Sequence, residues 1–437
     1  MLFNDSITIL TQLPTIQMKT MKKFLLLFLF PALSFGQVIE MRNYDFEKNP
    51  CVHTLTKTEA AEPVILIKDK RVIEYVYNKN DEFEEYYTLH RIVYINEDNA
   101  IESYNKIYVA VSNSQDLIAF KARTISKTGV VKEMLKGEMK SVTDEGNHYL
   151  SLAVDGLEKG SELEYFYTIK QDPSMYGAQM IQGRAFARKV ELTLVSPENI
   201  ILGTKAYNGF PQLKDTLIGK KNMYTGTMEN IVTIDDEKYT NLEANKMRVE
   251  YKIAKNTKRS DSELMTYADA GNRYYASFTT LEKGEQKDVE KLYSKLNVKN
   301  LPDLEKIRAI ESYIKTNINI QKGAEVKDIS EILKTKISDE YTINKLSIAL
   351  FHQTGIKFEI VISNSRADKI FDPDFQSWNN LSDLLFYFPS LDKYVQSTSF
   401  VDRLAMPPSE YVGNGGLFIK EITIRSEEHT SELQSQR

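Results

Sequence analysis

The hydrophobic pattern of this chain changes its period once, and this change limits the folds that are open to it. From about 60 to 255, apolar residues alternate with polar ones in short runs that are rich in β-branched and aromatic side chains. Such runs lie at 72–77, 87–95, 106–111, 118–125, 163–169 and 190–194. Turn residues such as Gly129, Gly156 and Gly160 separate them. The first part of the chain therefore predicts an antiparallel β-sandwich.

The second part of the chain, after the polar stretch 255–262, has helical periodicity. The segment 303–318 follows Pro302 and predicts an amphipathic helix. The segment 341–354 predicts a second helix, which ends at Gly355 because glycine readily adopts the left-handed conformation that closes a helix. The inward-facing residues are Leu304, Ile307, Ile310 and Ile314 in the first helix and Ile343, Leu346, Ala349 and Leu350 in the second.

Three strands are predicted after the second helix, so this part of the chain is a mixture of helices and strands. The first is the alternating run 356–362, and the others are 383–388 and 394–399. The fold class that we predict is α+β and multidomain. The predicted units are an N-terminal lead at 37–59, the β-sandwich at 60–255, a helical linker at 256–302 and an α+β domain at 303–424.

The first 36 residues predict a secretory signal with a short upstream segment. Lys22 and Lys23 precede an apolar run, and Ser34 and Gly36 place small residues before a cleavage site at Gln37. The apolar run is about ten residues long, whereas a helix needs about 20 to span a bilayer. We therefore expect an exported protein, in the periplasm or on the cell surface of a bacterium, without a transmembrane segment after cleavage.

The last thirteen residues, 425–437, predict a foreign tail. They are almost entirely polar, and they resemble the conceptual translation of a sequencing-library adapter. We expect that the reading frame was cut there and that the natural protein continues after Ile424. A polar disordered tail is the alternative.

Composition excludes several classes of protein. One Cys in 437 residues excludes a disulfide scaffold and a Cys-rich metal site, and a formal net charge of −5 gives no reason to expect a nucleic-acid partner. The acidic pairs at 235–237 and 372–374 lack the spacing of a calcium loop and predict turns. We therefore expect no metal and no cofactor.

The order of helix, glycine and three strands resembles the transglutaminase-like branch of the papain-like fold. The segments 155–167 and 188–197 resemble the domain of unknown function that precedes this domain in bacterial envelope proteins. Together the resemblance covers most of 60–424. It implies a Cys at the helix start, where the positive helix end favours a thiolate, with a His and an Asp on the following strands.

The three positions of that triad are changed in this sequence. The family's Cys lies fifteen residues before the closing glycine, and counting back from Gly355 gives Glu340. The family's Phe-Asn-His motif resembles 378–380 and places Asn380 at the His, and its aromatic-x-Asp motif resembles 394–396 and places Gln396 at the Asp. The resemblance thus implies a degenerate triad. We expect the negative charge of Glu340 to interact favourably with the positive end of the helix. As an alternative, Glu340 acts as a general acid or base.

No other residue restores the triad. No Cys follows Cys51, and the module before the tail has a single His, His352, one turn from the end of its helix. We therefore expect a pseudoenzyme of the cell envelope that binds a peptide, polymer or protein partner. Two alternatives stay open, namely an active acyltransferase or cysteine peptidase that uses Cys51, and a scaffold or accessory subunit. Aromatic residues in a groove near Trp378 would favour binding over scaffolding.

Overall fold

The computed structural model describes residues 44–420 except 47, 112–115, 145–146, 235–239 and 322. The predicted signal at 1–36, the cleavage site at Gln37, the acidic pair at 235–237 and the tail at 425–437 lie outside the described residues. Among the described residues, none of the helices combines the length and the apolar character that crossing a bilayer requires.

The first part of the chain is built on one eight-stranded sheet. In chain order its strands are β1 (Val64–Tyr77), β2 (Phe83–Ile95), β4 (Asp116–Ile125), β5 (Val131–Leu135), β8 (Glu162–Gln171), β10 (Phe186–Pro197), β12 (Lys214–Ile218) and β13 (Lys221–Ile231). Their order across the sheet is β12-β13-β10-β1-β2-β8-β4-β5. The alternating runs of the sequence predicted β1, β2, β4, β8 and β10, which bury one face or both. They did not predict β5, β12 and β13; β5 and β12 are mostly exposed.

The pairing of β1 with β10 is parallel, with Ile65 opposite Phe186 and Glu74 opposite Val195. The other ladders of this sheet are antiparallel within the described residues. The prediction of an antiparallel sandwich is therefore wrong at this pair. The physical reason is that the segment 78–185 lies between the two strands in sequence, and such a long connection can return the chain in the same direction.

Two small sheets cover the inner face of the large one. One contains β9 (Tyr176–Met180), β11 (Ile200–Tyr207) and β14 (Arg248–Asn256), and the other contains β3 (Lys106–Ala110), β6 (Lys140–Asp144) and β7 (Asn147–Ala153). The first packs Leu202 and Ile253 against Leu192, and the second packs Val109 against Leu163. This layering matches the expected sandwich in outline. Two short helices, α1 (Ile101–Tyr104) and α2 (Leu242–Asn245), lie in the connections.

A buried ion cluster lies on the inner face of the large sheet. Asp69 is 1% exposed, and its carboxylate accepts hydrogen bonds from the guanidinium groups of Arg71 and Arg91 at 2.9 to 3.2 Å. Burial alone would raise the pKa of Asp69, but the two arginines lower it to about 2. The aspartate is therefore ionised throughout the physiological range.

The outer face of the large sheet is covered by the segment 44–61, which we call the N-terminal strap. Tyr44 Oη lies 2.5 Å from Nδ1 of the buried His90, and His53 donates its backbone N–H to Glu162 at 2.7 Å. Arg188 in β10 donates to Glu59 at 2.5 Å. The predicted lead at 37–59 thus contains residues that pack on the β-domain.

In the second part of the chain, the described residues form five α-helices and a four-stranded antiparallel sheet. The helices are α3 (Tyr267–Thr279), α4 (Lys283–Leu296), α5 (Asp303–Asn317), α6 (Ile329–Thr335) and α7 (Glu340–Thr354). The strands are β17 (Glu359–Ser363), β18 (Asp383–Phe388), β19 (Lys393–Val395) and β20 (Leu417–Ile419), in the order β19-β18-β17-β20. A short parallel pair joins β15 (Asn319–Ile320) to β16 (Ile337–Ser338).

One core holds this part together, and α7 lies at its centre. Ile343, Leu346 and Leu350 are fully buried, and Phe351 packs edge to face against Phe386 and Phe388 of β18. Gly355 has φ +71°, so the predicted left-handed end of the helix is confirmed. The prediction of an α+β composition is confirmed as well.

The segment 256–302, which was expected as a linker, contributes to the same core. Tyr267 and Phe278 of α3 and Val289 of α4 are buried with the residues of α5 and α7. The helical periodicity was correct, but the helices pack against the module instead of bridging two domains.

Candidate functional site

The N-terminal end of α7 is the place where the resemblance implies a nucleophile. Asp339 precedes the helix, and its side chain accepts the backbone N–H of Thr342 at 2.6 Å. Glu340 is the first helical residue, and its side chain is exposed. A carboxylate at this end is stabilised because the first backbone N–H groups of a helix carry partial positive charge.

A cavity of about 270 Å³ opens beside this helix end, and we call it the α7 cleft. Its walls come from α3, α7, β17, the start of β18 and the segment after β19. The lining residues are Tyr274, Phe278, Glu340, Tyr341, Asn344, Ile362, Ser382, Asp383, Leu384 and Thr398.

Three aromatic rings form one wall of the cleft. The rings of Tyr274 and Phe278 are nearly parallel, with centroids 6.1 Å apart, and the ring of Tyr341 lies 5.0 Å from that of Phe278. The hydroxyl of Tyr341 lies 2.8 Å from that of Ser277, which fixes the outer ring. The cleft therefore offers flat apolar surface at its entrance.

The polar part of the cleft contains an amide oxygen, Oδ1 of Asn344, without a hydrogen-bond partner among the described residues. Asn344 is 6% exposed, and its Oδ1 has no hydrogen-bond partner within the part of the chain that the structure describes. Asp383 accepts a hydrogen bond from the hydroxyl of Ser382 at 2.7 Å. Because Asn344 lies four residues after Glu340, both lie on one face of α7. That spacing was the sequence signal that could have identified Asn344.

The structure does not bring the three predicted triad positions together. Asn380 is fully buried in the short turn Trp378–Asn380, where its Nδ2 donates to Tyr267 Oη at 3.1 Å. Gln396 is buried after β19 and donates to Tyr411 Oη at 3.3 Å.

Neighbours of Asn380 and Gln396 share the cleft with Glu340. Ser382 and Asp383 lie two and three residues after Asn380, and Thr398 lies two residues after Gln396. Neither set of residues contains a Cys or a His, so the expected loss of the triad does not depend on the alignment.

His352 lies at the opposite end of α7 from the cleft. Twelve residues separate it from Glu340, which corresponds to about 18 Å along a helix axis. Its ring packs edge to face on Phe358 at 5.0 Å. His352 therefore cannot exchange a proton with a group in the α7 cleft.

Cys51 lies in the N-terminal strap, away from α7 in sequence, and its side chain is exposed. Two residues later, the Nδ1 of His53 lies 3.0 Å from both carboxylate oxygens of the buried Glu162. A carboxylate that orients an imidazole is part of many thiol-dependent sites. Among the described residues, however, no hydrogen bond joins the Cys51 sulfur to His53.

Trp378 does not line the cleft. Its indole N–H donates to the carbonyl of Thr266 at 3.1 Å, and its ring contacts that of Tyr176 in the β-domain. The nearby Asp372 accepts from the backbone N–H groups that follow it, and it forms an ion pair with Lys205. Both residues hold the β-domain against the α+β part. The described residues contain no cluster of three metal-ligating side chains.

The comparisons with known proteins identify a domain and a fold. Residues 82–234 match the family model described as a Domain of Unknown Function with solved-structure structure (DUF3857). None of the curated proteins matches the chain. The segment lies within the predicted β-domain, so the expected domain of unknown function is confirmed.

A crystal structure described as a "putative protease" from Parabacteroides distasonis has a similar fold. The TM-score is 0.59 at 15% sequence identity, over 82% of this chain and 69% of that chain. Two structures of an M1 zinc metallopeptidase from Deinococcus radiodurans, one of them a mutant, reach a TM-score of 0.24 at 8% identity, covering 44% of this chain and 42% of theirs. The first likeness shows a shared fold, and the other two are too slight to carry an argument. This chain therefore contains a domain of unknown function, and its fold is similar to that of the Parabacteroides distasonis protein.

Proposed function

We propose that this chain is an exported, non-catalytic protein of the cell envelope that binds a peptide segment, or a comparable polymer or protein partner, in the α7 cleft. The proposal takes up the resemblance to the transglutaminase-like fold, whose clefts accept extended chains. The order of a β-domain and an α+β part and the predicted export signal at 1–36 support it.

The observation that carries the proposal is the unpaired oxygen of Asn344. A buried amide oxygen without a hydrogen bond costs about 1–3 kcal/mol of stability. Among the described residues four buried side-chain oxygens lack a partner, and only that of Asn344 belongs to a residue that lines the α7 cleft. Asn344 lines a cavity of about 270 Å³, and we propose that a ligand in this cavity supplies the missing donor to its buried oxygen. A peptide offers such a donor at every backbone N–H that is not proline.

The proposal of no catalysis follows from the residue types in the cleft. A nucleophile and its base act as one unit. Losing either one removes nearly all of the rate acceleration that the unit provides, which is about 10⁶-fold. Glu340 is at the position of the thiol, and the lining contains no imidazole. Apolar rings and hydroxyl groups remain, and these serve binding.

A cysteine-dependent activity is the second candidate, and the arrangement at His53 favours it. Glu162 orients the imidazole of His53, which lies two residues from Cys51. This candidate requires the Cys51 side chain to rotate toward His53, so that the imidazole can accept the proton of the thiol. The third alternative, a scaffold or accessory subunit, has no use for an open aromatic cleft.

One experiment separates these functions. The mature protein is incubated with dansylcadaverine and dimethylcasein, and separately with a quenched-fluorescent casein, beside a Cys51→Ala variant. We expect no amine incorporation and no cleavage by either protein. Turnover that Cys51→Ala abolishes would establish the second candidate, and turnover that survives the substitution would refute the proposal.

Binding is tested with a phage-displayed library of random twelve-residue peptides on the immobilised mature protein. We expect enriched peptides that fail to bind an Asn344→Leu variant and still bind an Asn380→Leu variant. Asn380 is the matched control because it is also a buried asparagine with an unpaired oxygen, but lies outside the cleft. Enrichment that is unaffected by Asn344→Leu would place binding elsewhere and overturn the proposed site.

A further inference from the structure

The α7 cleft has two carboxylates and no cationic residue in its lining. Glu340 and Asp383 line the cavity, whereas none of the lining residues is a lysine, an arginine or a histidine. Within the described residues, neither carboxylate forms a salt bridge. The wall of the cleft is therefore negative and lacks an internal counter-ion.

The carboxylates are held in place by their surroundings. Asp383 accepts the hydroxyl hydrogen of Ser382 at 2.7 Å, at the start of β18. Glu340 lies in the first turn of α7, where the exposed backbone N–H groups stabilise a negative charge.

The remaining polar and aromatic groups of the cleft also favour a cation. The unpaired Oδ1 of Asn344 can only accept a hydrogen bond. Tyr274, Phe278 and Tyr341 line the cavity, and the negative face of an aromatic ring attracts ammonium and guanidinium groups. The side chain of Tyr341 is 46% exposed, so its ring is accessible at the entrance.

Lysine and arginine side chains match this set because they are donors only. An ammonium group carries three N–H donors and a guanidinium group five, and neither has an acceptor. A neutral peptide side chain would leave both carboxylates unpaired, and an acidic one would be repelled.

From this complementarity we infer that the α7 cleft recognises a positively charged side chain, lysine or arginine, of the peptide that it binds. The inference rests on the proposed function and names the ligand class of the same site. The aromatic rings hold the side chain at the entrance, and Glu340 and Asp383 pair with its charge. The amide of Asn344 accepts one of its N–H groups or the adjacent backbone N–H.

The test uses fluorescein-labelled pentapeptides with the sequence Gly-Gly-Xaa-Gly-Gly, in which Xaa is arginine, lysine, citrulline or glutamate. Binding to the mature protein is measured by fluorescence anisotropy at 50 mM and 300 mM NaCl. Citrulline has the shape of arginine without its charge. We expect the arginine and lysine peptides to bind at least about tenfold more tightly than the citrulline peptide, with a smaller ratio at high salt.

Two variants locate the selectivity. Glu340→Gln and Asp383→Asn should each reduce the ratio of arginine to citrulline affinity by at least about threefold, because each removes one charge at nearly constant shape. Glu305→Gln is the matched control, since Glu305 is an exposed helical glutamate of α5 paired with Arg308. That variant should leave the ratio unchanged.

The outcomes distinguish this inference from the proposed function. Equal affinity for the arginine and citrulline peptides would overturn the inference, while binding that depends on Asn344 would still support the proposed function. The inference would also be overturned if no pentapeptide bound with a Kd below 1 mM. Turnover of casein that survives Cys51→Ala would overturn the proposed function whatever the charge preference.

Discussion

Replacing Asn344 by leucine should stabilise the protein while it abolishes binding. Leucine has the same branching at Cγ as asparagine, so the substitution removes the polar atoms at nearly constant shape. The Oδ1 of Asn344 is buried and unpaired, and such an oxygen costs about 1–3 kcal/mol. We expect the free energy of unfolding to rise by about 1–3 kcal/mol.

The assay is urea unfolding at pH 7, followed by the fluorescence of the single tryptophan. Trp378 lies in the same part of the chain as α7 and packs against α3 through Thr266, so its emission reports on the unit that contains the cleft. Peptide binding is measured on the same samples, so that stability and binding are compared directly. A binding loss of at least about tenfold is expected.

Asn380→Leu is the matched substitution, with a smaller expected effect on stability. Asn380 also has an unpaired Oδ1, but its Nδ2 donates to Tyr267, so the gain from removing the oxygen is offset by the loss of a buried hydrogen bond worth about 1 kcal/mol. Peptide binding should be retained. If Asn344→Leu lowered the unfolding free energy by 1 kcal/mol or more, the amide would have a structural partner, and the argument that it serves a ligand would be refuted.

Three further predictions follow from other parts of the molecule. Asp69→Asn should lower the free energy of unfolding by about 2 kcal/mol or more at pH 7, because Arg71 and Arg91 lose their buried counter-charge. Although burial raises the pKa of Asp69, the arginines lower it to about 2, so its contribution is complete above the unfolded pKa of about 4 and is lost as pH falls to about 2. Urea midpoints at pH 7 and pH 3 check this, and an equal loss at both would contradict it. Asp339→Ala should cost about 1 kcal/mol by removing the helix cap, measured by tryptophan fluorescence; no change would show that the cap is dispensable. Limited trypsin digestion should cut first at 255–259, where β14 ends, and yield a β-rich fragment by mass spectrometry. Intact fragments across this segment would contradict the boundary.

The helices and the central strands were predictable because their signals are local. The periodicity of 341–354 and the glycine after it define α7 to within one residue, and 383–388 is β18 as predicted. Such features depend on neighbours within a few residues in the sequence. The parallel pairing of β1 with β10 was not predictable, since it depends on contacts between distant segments.

The buried charges and the partners of Glu340 escaped prediction for related reasons. An aspartate within an alternating strand suggests a solvent-facing position, yet Asp69 faces the core because two arginines neutralise it. Counting along the helix located Glu340 at the cleft. Asn380 lies in a tight turn before β18 and outside the lining of the cleft, and the sequence does not reveal this turn.

The position of β1 defines where this domain can be divided. β1 pairs with β10 on one side and β2 on the other, and it lies upstream of the matched segment 82–234. A fragment expressed with those limits would retain two half-sheets whose facing edges, on β10 and β2, have lost their partner. Unpaired strand edges recruit strands of other molecules, and such a fragment would be prone to aggregate. The segment 82–234 that the family model matches is therefore shorter than the folding unit, because the large sheet also requires β1 between β10 and β2.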